Sequence, residues 1–174
     1  MSLASIPLLV STVSERNSAT PIGEKFLPAF FVDVIEKNYS FDRGEWPAHI
    51  TLFPPIEQPY VETYAHTLRR HMNPIHPFEI IVGEDAWFGE AGDVPVKRII
   101  DSPELQRVHT ELVRVCGILL HDPTYRQPYR PHISYPDEFG ITSGQRIAVG
   151  GFCLTVKDGG VWRVEDKVGF KGRA

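Results

Sequence analysis

Two tetrapeptides in this 174-residue chain set an imidazole and a hydroxyl two positions apart: His49-Ile50-Thr51-Leu52 and, far along the chain, His132-Ile133-Ser134-Tyr135. Both read His, apolar, hydroxyl, apolar, and both follow a proline, Pro47 or Pro131. Alternate side chains of a strand share a face. His49 and Thr51 therefore point one way and Ile50 and Leu52 the other, and His132 and Ser134 likewise oppose Ile133 and Tyr135. Each strand offers one ring and one hydroxyl to a surface while its apolar residues anchor it from behind. Two such strands facing each other build a cleft. Near neutral pH one imidazole there accepts a proton while the other, protonated, donates one, because the unperturbed histidine pKa is about 6.5. The hydroxyls add hydrogen bonds to the non-bridging oxygens of a phosphate as charge builds on it. The set suits in-line phosphoester cleavage without a metal.

Strand parity nominates two further residues. Arg130 lies two before His132 and shares its face, where a guanidinium can grip phosphate with two parallel hydrogen bonds. Phe53 lies two after Thr51 and is placed to stack a base, unless Pro54 bends the chain away and leaves the ring in the core. The remaining histidines read as structural. His66, His71 and His76 recur every five residues, which spreads their rings around a helix instead of converging them on a metal, so they are expected in solvent. His109 is expected at an exposed helix position and His121 at a helix C-terminus, where a cation meets the negative end of the dipole. The aromatic pair Trp87-Phe88 ahead of Gly89 reads as strand packing, with cleft lining in a loop as the functional alternative. No glycine-rich phosphate loop, cysteine pair at zinc spacing or Gly-x-Ser-x-Gly elbow is present, and no cofactor is expected.

The elements that must position these residues are short, because fifteen prolines and fourteen glycines punctuate the chain. The clearest helix runs over Ser102–Gly117, with Ser102 as N-cap, Pro103 at the first helical position and Leu105, Val108, Leu112 and Val115 at helical spacing. A second spans about Val61–Met72 and stops before Asn73-Pro74. Strands are expected over Phe78–Val82, Val94–Ile100, Ile147–Val156 and Val161–Phe170, the last two joined by the hairpin turn Lys157-Asp158-Gly159-Gly160. Ala29–Ile35 fits either period and is read as a strand from its β-branched and aromatic content.

Composition bounds the rest. The length suits one domain and is too short for an eight-unit β/α barrel. A net charge of −4 gives no global basic field, so no extended nucleic-acid surface is expected and any polynucleotide contact is local. Two cysteines, Cys116 and Cys153, make no disulfide framework and fit a reducing cytoplasm. The longest apolar runs fall far short of a membrane span, and the patch Ile6–Val10 has no basic residue ahead of it, so neither a membrane segment nor a secretory signal is expected.

The strings Pro-Ala-His-Ile-Thr-Leu-Phe-Pro-Pro and Tyr-Arg-Pro-His-Ile-Ser-Tyr resemble the paired His-x-Thr/Ser signature of the 2H phosphoesterase superfamily, in particular its 2′-5′ RNA ligase-like and 2′,3′-cyclic phosphodiesterase branch. The resemblance implies an α+β fold of two antiparallel sheets around a central cleft with helices outside. It implies one bilobal domain, with lobes at approximately 26–90 and 91–172 and residues 1–25 as an N-terminal extension. It further implies action on cyclic phosphates at RNA ends or on related cyclic nucleotides, with His49 and His132 as the acid–base pair and Thr51 and Ser134 as phosphate binders. Serine in the second copy, where threonine is common, keeps the hydroxyl. Two rivals use the same residues: a phosphate- or RNA-end-binding module without turnover, and a metallohydrolase in which the two histidines are ligands, for which Glu45 in a loop is the only nearby carboxylate.

Overall fold

A computed structural model of the chain describes residues 25–42, 44–57, 61–116, 128–134 and 140–172. The elements, in order, are β1 (Lys25–Phe31), β2 (Ser40–Phe41), β3 (His49–Thr51), α1 (Val61–Met72), β4 (Phe78–Phe88), β5 (Val94–Ile99), α2 (Pro103–Cys116), β6 (His132–Ser134), β7 (Arg146–Val149), β8 (Gly151–Asp158) and β9 (Val161–Gly169). His121, Tyr135 and the N-terminal segment as far as Glu24 lie outside the described residues.

Both helices form where the apolar spacing demands. On α1, Val61, Ala65, Leu68 and Met72 fall on one stripe and are buried, while Arg69, Arg70 and His71 in its last turn face the negative end of the dipole. On α2, the Ser102 hydroxyl accepts the Leu105 N–H at 3.3 Å, and Leu105, Val108, Leu112 and Cys116 are buried. The helices pack on each other, and α1 also lies against β9 and β8.

The strands hydrogen-bond in the single order β2-β9-β8-β1-β3-β6-β5-β4-β7, antiparallel throughout. The α+β class holds, but two separate sheets do not form, because the motif strands β3 and β6 pair with each other and join the two halves. Nor do those halves coincide with the halves of the chain. Residues 89–93, expected to separate two lobes, are the loop of the β4–β5 hairpin, and the C-terminal β8 and β9 join the N-terminal β1.

Several strands depart from their expected bounds for local reasons. β1 ends at Phe31, short of the expected Ile35. β4 continues past Val82 to Phe88 by way of a bulge between Val82 and Asp85, so its first part pairs with β7 and its second with β5. The run expected as one strand over 147–156 breaks at Gly150, sending β7 to the sheet edge and β8 beside β1. The β8–β9 hairpin forms as expected: Asp158 pairs with Val161 across Gly159 and Gly160, both at positive φ as a two-residue turn of this type requires.

β1 is buried on both faces. Phe26 and Phe30 enter the main core beneath the helices, while Leu27, Ala29 and Phe31 enter a second cluster on the opposite face with Phe41, Cys153, Trp162 and Val164. Ile50 and Ile133, fully buried, point into the main core, so the motif histidines and hydroxyls emerge on the face away from the helices.

Replacing Ser102 by Ala removes the α2 cap and is expected to cost about 1 kcal/mol, or about 2–4 °C in a chain of this size, with cooperative unfolding retained. Thermal unfolding followed by circular dichroism reads the shift.

Candidate active site

Register creates the site. In the antiparallel β3–β6 pair His49 stands opposite Ser134, and the same register two residues on sets Thr51 opposite His132. Each ring thus faces the other motif's hydroxyl across one ladder, and all four side chains are half-buried on the same face. Among the described residues neither the Thr51 nor the Ser134 hydroxyl has a hydrogen-bond partner within the chain, so both can donate to a ligand.

The two rings are held alike. His49 Nδ1 donates to the Pro47 carbonyl at 2.8 Å, and His132 Nδ1 donates to the Arg130 carbonyl at 2.9 Å. Both bonds reach two residues back, and both fix the proton on Nδ1, leaving Nε2 of each ring for chemistry. Beyond the strands, Tyr129 Oη donates to the Thr51 carbonyl at 3.1 Å and His109 Nδ1 to the Leu52 carbonyl at 2.9 Å. The Tyr129 and His109 rings stack at 4.1 Å and 5°. The approach to the second motif is thereby tied to the exit of the first. His109, expected in solvent, is instead a buried residue of this tie, and burial pushes its pKa down while the Leu52 carbonyl pulls it up.

The environments of the rings differ. His49 lies 4.6 Å from the Trp46 ring and 6.1 Å from Phe31, against the wall made with Phe41 and Trp162. Burial among these rings pushes its pKa down to about 4; the Pro47 carbonyl acts in the opposite sense, and charge on His132 reinforces the fall. That mutual repulsion is itself a sign that the imidazoles serve one site. His132 lies 4.6 Å from the Phe88 ring, and the Arg130 guanidinium covers the same ring at 5.0 Å.

Arg130 is exposed beside His132, on the face its parity assigns. Phe53 is not on that face. It is 1% exposed and packs in the core near His109, because β3 ends at Thr51 and the following Pro54-Pro55 turns the chain. Phe88 lines the site from within β4, not from a loop, whereas its neighbour Trp87 is 66% exposed. Trp46, three residues before His49, and Arg98, the cross-strand partner of His132, were missed by sequence reasoning. Composition around the motif signals Trp46; only strand pairing reveals Arg98. Among the described residues no group of three or more His, Cys, Asp or Glu side chains gathers as a metal site, and no helix is long and apolar enough to cross a membrane. His66 and His76 are exposed as expected, but His71 is half-buried and meets Glu111 of α2 at 3.3 Å.

The model of the 2′-5′ RNA ligase superfamily matches residues 26–135, well over half of the chain, and the match contains both His-x-Thr/Ser strings. This chain belongs to the 2′-5′ RNA ligase superfamily, the 2H phosphoesterases. The superfamily fold is shared with protein TT0787 of Thermus thermophilus, at a TM-score of 0.61 and 18% identity over 86% of this chain and all of that one. No curated protein matches the chain at a significant level. Superfamily membership supports a phosphoesterase or RNA ligase-like activity.

The lowered His49 pKa gives stability a pH dependence of defined sign. An unfolded chain takes up this proton below about 6.5, and the folded ring only near 4, so the ring's contribution is full above about pH 6.5 and is lost as pH falls through that window. Urea unfolding at about pH 7 and pH 5 is expected to show a smaller acid-side loss in His49→Gln than in the parent chain. Equal losses would mean that the folded ring is already charged at pH 5.

Proposed function

We propose that this 2H phosphoesterase hydrolyses 2′,3′-cyclic phosphates at RNA ends or on related small cyclic nucleotides, with no metal taking part. The observation that carries the proposal is the β3–β6 register, which sets two imidazoles and two free hydroxyls on one face, each ring fixed through Nδ1. The aromatic wall around His49 assigns it the part of general base, since a ring whose pKa is pushed down to about 4 is neutral when substrate arrives. His132 is then the general acid.

Water attacks phosphorus on the side opposite the departing ribose oxygen, and His49 Nε2 takes the water proton as the new P–O bond forms. The P–O bond to the ribose oxygen breaks, and that oxygen receives the proton held on His132 Nε2. The product is a nucleoside phosphate monoester, and one proton has moved from His132 to His49; exchange with solvent restores both rings. Thr51 and Ser134 donate to the non-bridging oxygens, whose charge grows in the transition state. Arg130 adds a guanidinium on the His132 side. Ligation is the reverse of the same displacement with a ribose hydroxyl replacing water, so a single constellation serves both directions.

His49→Ala and His132→Ala are each expected to lower kcat by about 10²–10⁴-fold, and the double variant to be little worse than the weaker single one, because the pair acts as a unit. Activity on adenosine 2′,3′-cyclic phosphate is expected to survive exhaustive EDTA and to follow a bell-shaped pH profile whose two apparent pKa values belong to the pair. Phosphate binding by calorimetry without turnover of any cyclic phosphate would replace this reading with a binding module.

A further inference from the structure

The basic side chains of the sheet are, with few exceptions, neutralised. Arg146 meets Glu79 at 3.1 Å, Arg163 meets Glu165 at 2.7 Å and Lys97 meets Asp85 at 2.8 Å. Arg98 and Arg130 break the pattern: among the described residues neither has a carboxylate partner. Both flank the same catalytic ring. Arg98 is the direct cross-strand partner of His132, and Arg130 lies two residues before His132 with its guanidinium held flat over Phe88. Arg98 is therefore diagonal to Arg130 across the β5–β6 ladder, a separation that two long side chains span easily.

There is room beside them. At the β4 bulge a hollow of about 510 Å³ opens against Arg98 and Ile100, with Gly83, Glu84 and Ser143 among its walls. Gly83 keeps it open: a Cβ there would come within 3.2 Å of the Arg98 carbonyl and 3.5 Å of both the Arg98 and Ile100 side chains. The Ser143 hydroxyl is turned away to the Gly83 carbonyl at 2.9 Å, so Arg98 supplies the hollow's positive charge at its edge nearest His132. One phosphate at the reacting position occupies the four motif side chains. Two unneutralised guanidinium groups on the leaving-group side call for a further anion.

We infer that Arg98 and Arg130 form a second phosphate subsite beside His132, and that the preferred substrate is a cyclic phosphate carrying at least one more phosphate on its ribose, either a terminal 5′-phosphate or the adjoining internucleotide diester. This rests on the phosphoesterase reading above and adds specificity to it. Arg98 does not touch the reacting phosphorus; it selects among substrates, and one or two charge-assisted hydrogen bonds give a preference of about 10- to 100-fold.

The test compares three substrates: adenosine 2′,3′-cyclic phosphate, the same compound with a 5′-phosphate, and the dinucleotide ApA ending in a 2′,3′-cyclic phosphate. The intact protein is expected to give a kcat/KM about 10- to 100-fold higher for one or both of the longer substrates, and which of them gains tells monoester from diester recognition. In Arg98→Ala and in Arg98→Gln, which keeps much of the stem, that ratio is expected to fall towards one. A parallel calorimetric arm measures adenosine 2′-phosphate against adenosine 2′,5′-bisphosphate and expects tighter binding of the bisphosphate, lost in both variants. If plain cyclic phosphate is hydrolysed but added phosphate brings no advantage, or an advantage indifferent to Arg98, the subsite is refuted and the phosphoesterase stands. If no cyclic phosphate is hydrolysed yet the bisphosphate gains through Arg98, the subsite stands and the hydrolytic reading falls.

Discussion

The ladder between β3 and β6 is only three residues long on each side, and such a pair has no stability of its own in water. It persists because each strand has a second neighbour, β1 for one and β5 for the other, and because Ile50 and Ile133 are sunk completely in the core behind it. The Tyr129 and His109 bonds to consecutive carbonyls at the end of β3 add a fixed crossing point between the two motif segments. A slip of one residue in this ladder would reverse the faces of one strand's side chains and bury its imidazole. The two hydrophobic anchors therefore determine the chemistry as much as the polar residues do.

Two nearly identical tetrapeptides end in unlike surroundings, and the difference is made by residues outside them. Trp46, Phe31 and their aromatic neighbours strip water from His49, whereas His132 shares its side of the site with Phe88, Arg98 and Arg130. A pair of titratable groups in contrasting environments can divide acid and base duties without any difference in the groups themselves. The matching Nδ1 bonds to carbonyls two residues back keep ring geometry constant while the environment varies.

Legibility in the sequence followed the range of the interaction concerned. The His-x-Thr/Ser strings, the Ser102 cap, both helices and the Gly159-Gly160 hairpin are local patterns, and each reappears in the fold. Parity misplaces Phe53 because it holds only while a strand continues, and β3 stops two residues earlier. His109 occupies a helical position adjacent to the buried stripe, and nothing local shows that a carbonyl from residue 52 waits there. Arg98 and Phe88 reach the site through pairings between distant segments, which no spacing rule reveals. The single sheet was hidden for the same reason: it depends on two short strands meeting, not on the character of either.

The weave of the sheet has a consequence for how such a molecule comes into being. β1, which supports the first motif strand, is itself flanked by β8, and β8 is completed by β9 at the far end of the described chain. A nascent polypeptide emerging from the ribosome would expose both histidine motifs well before the last hairpin arrives to close that flank. Assembly of the reactive groove is thus coupled to the end of translation, and the many sequence-distant pairings make its folding a slow, late, all-together event.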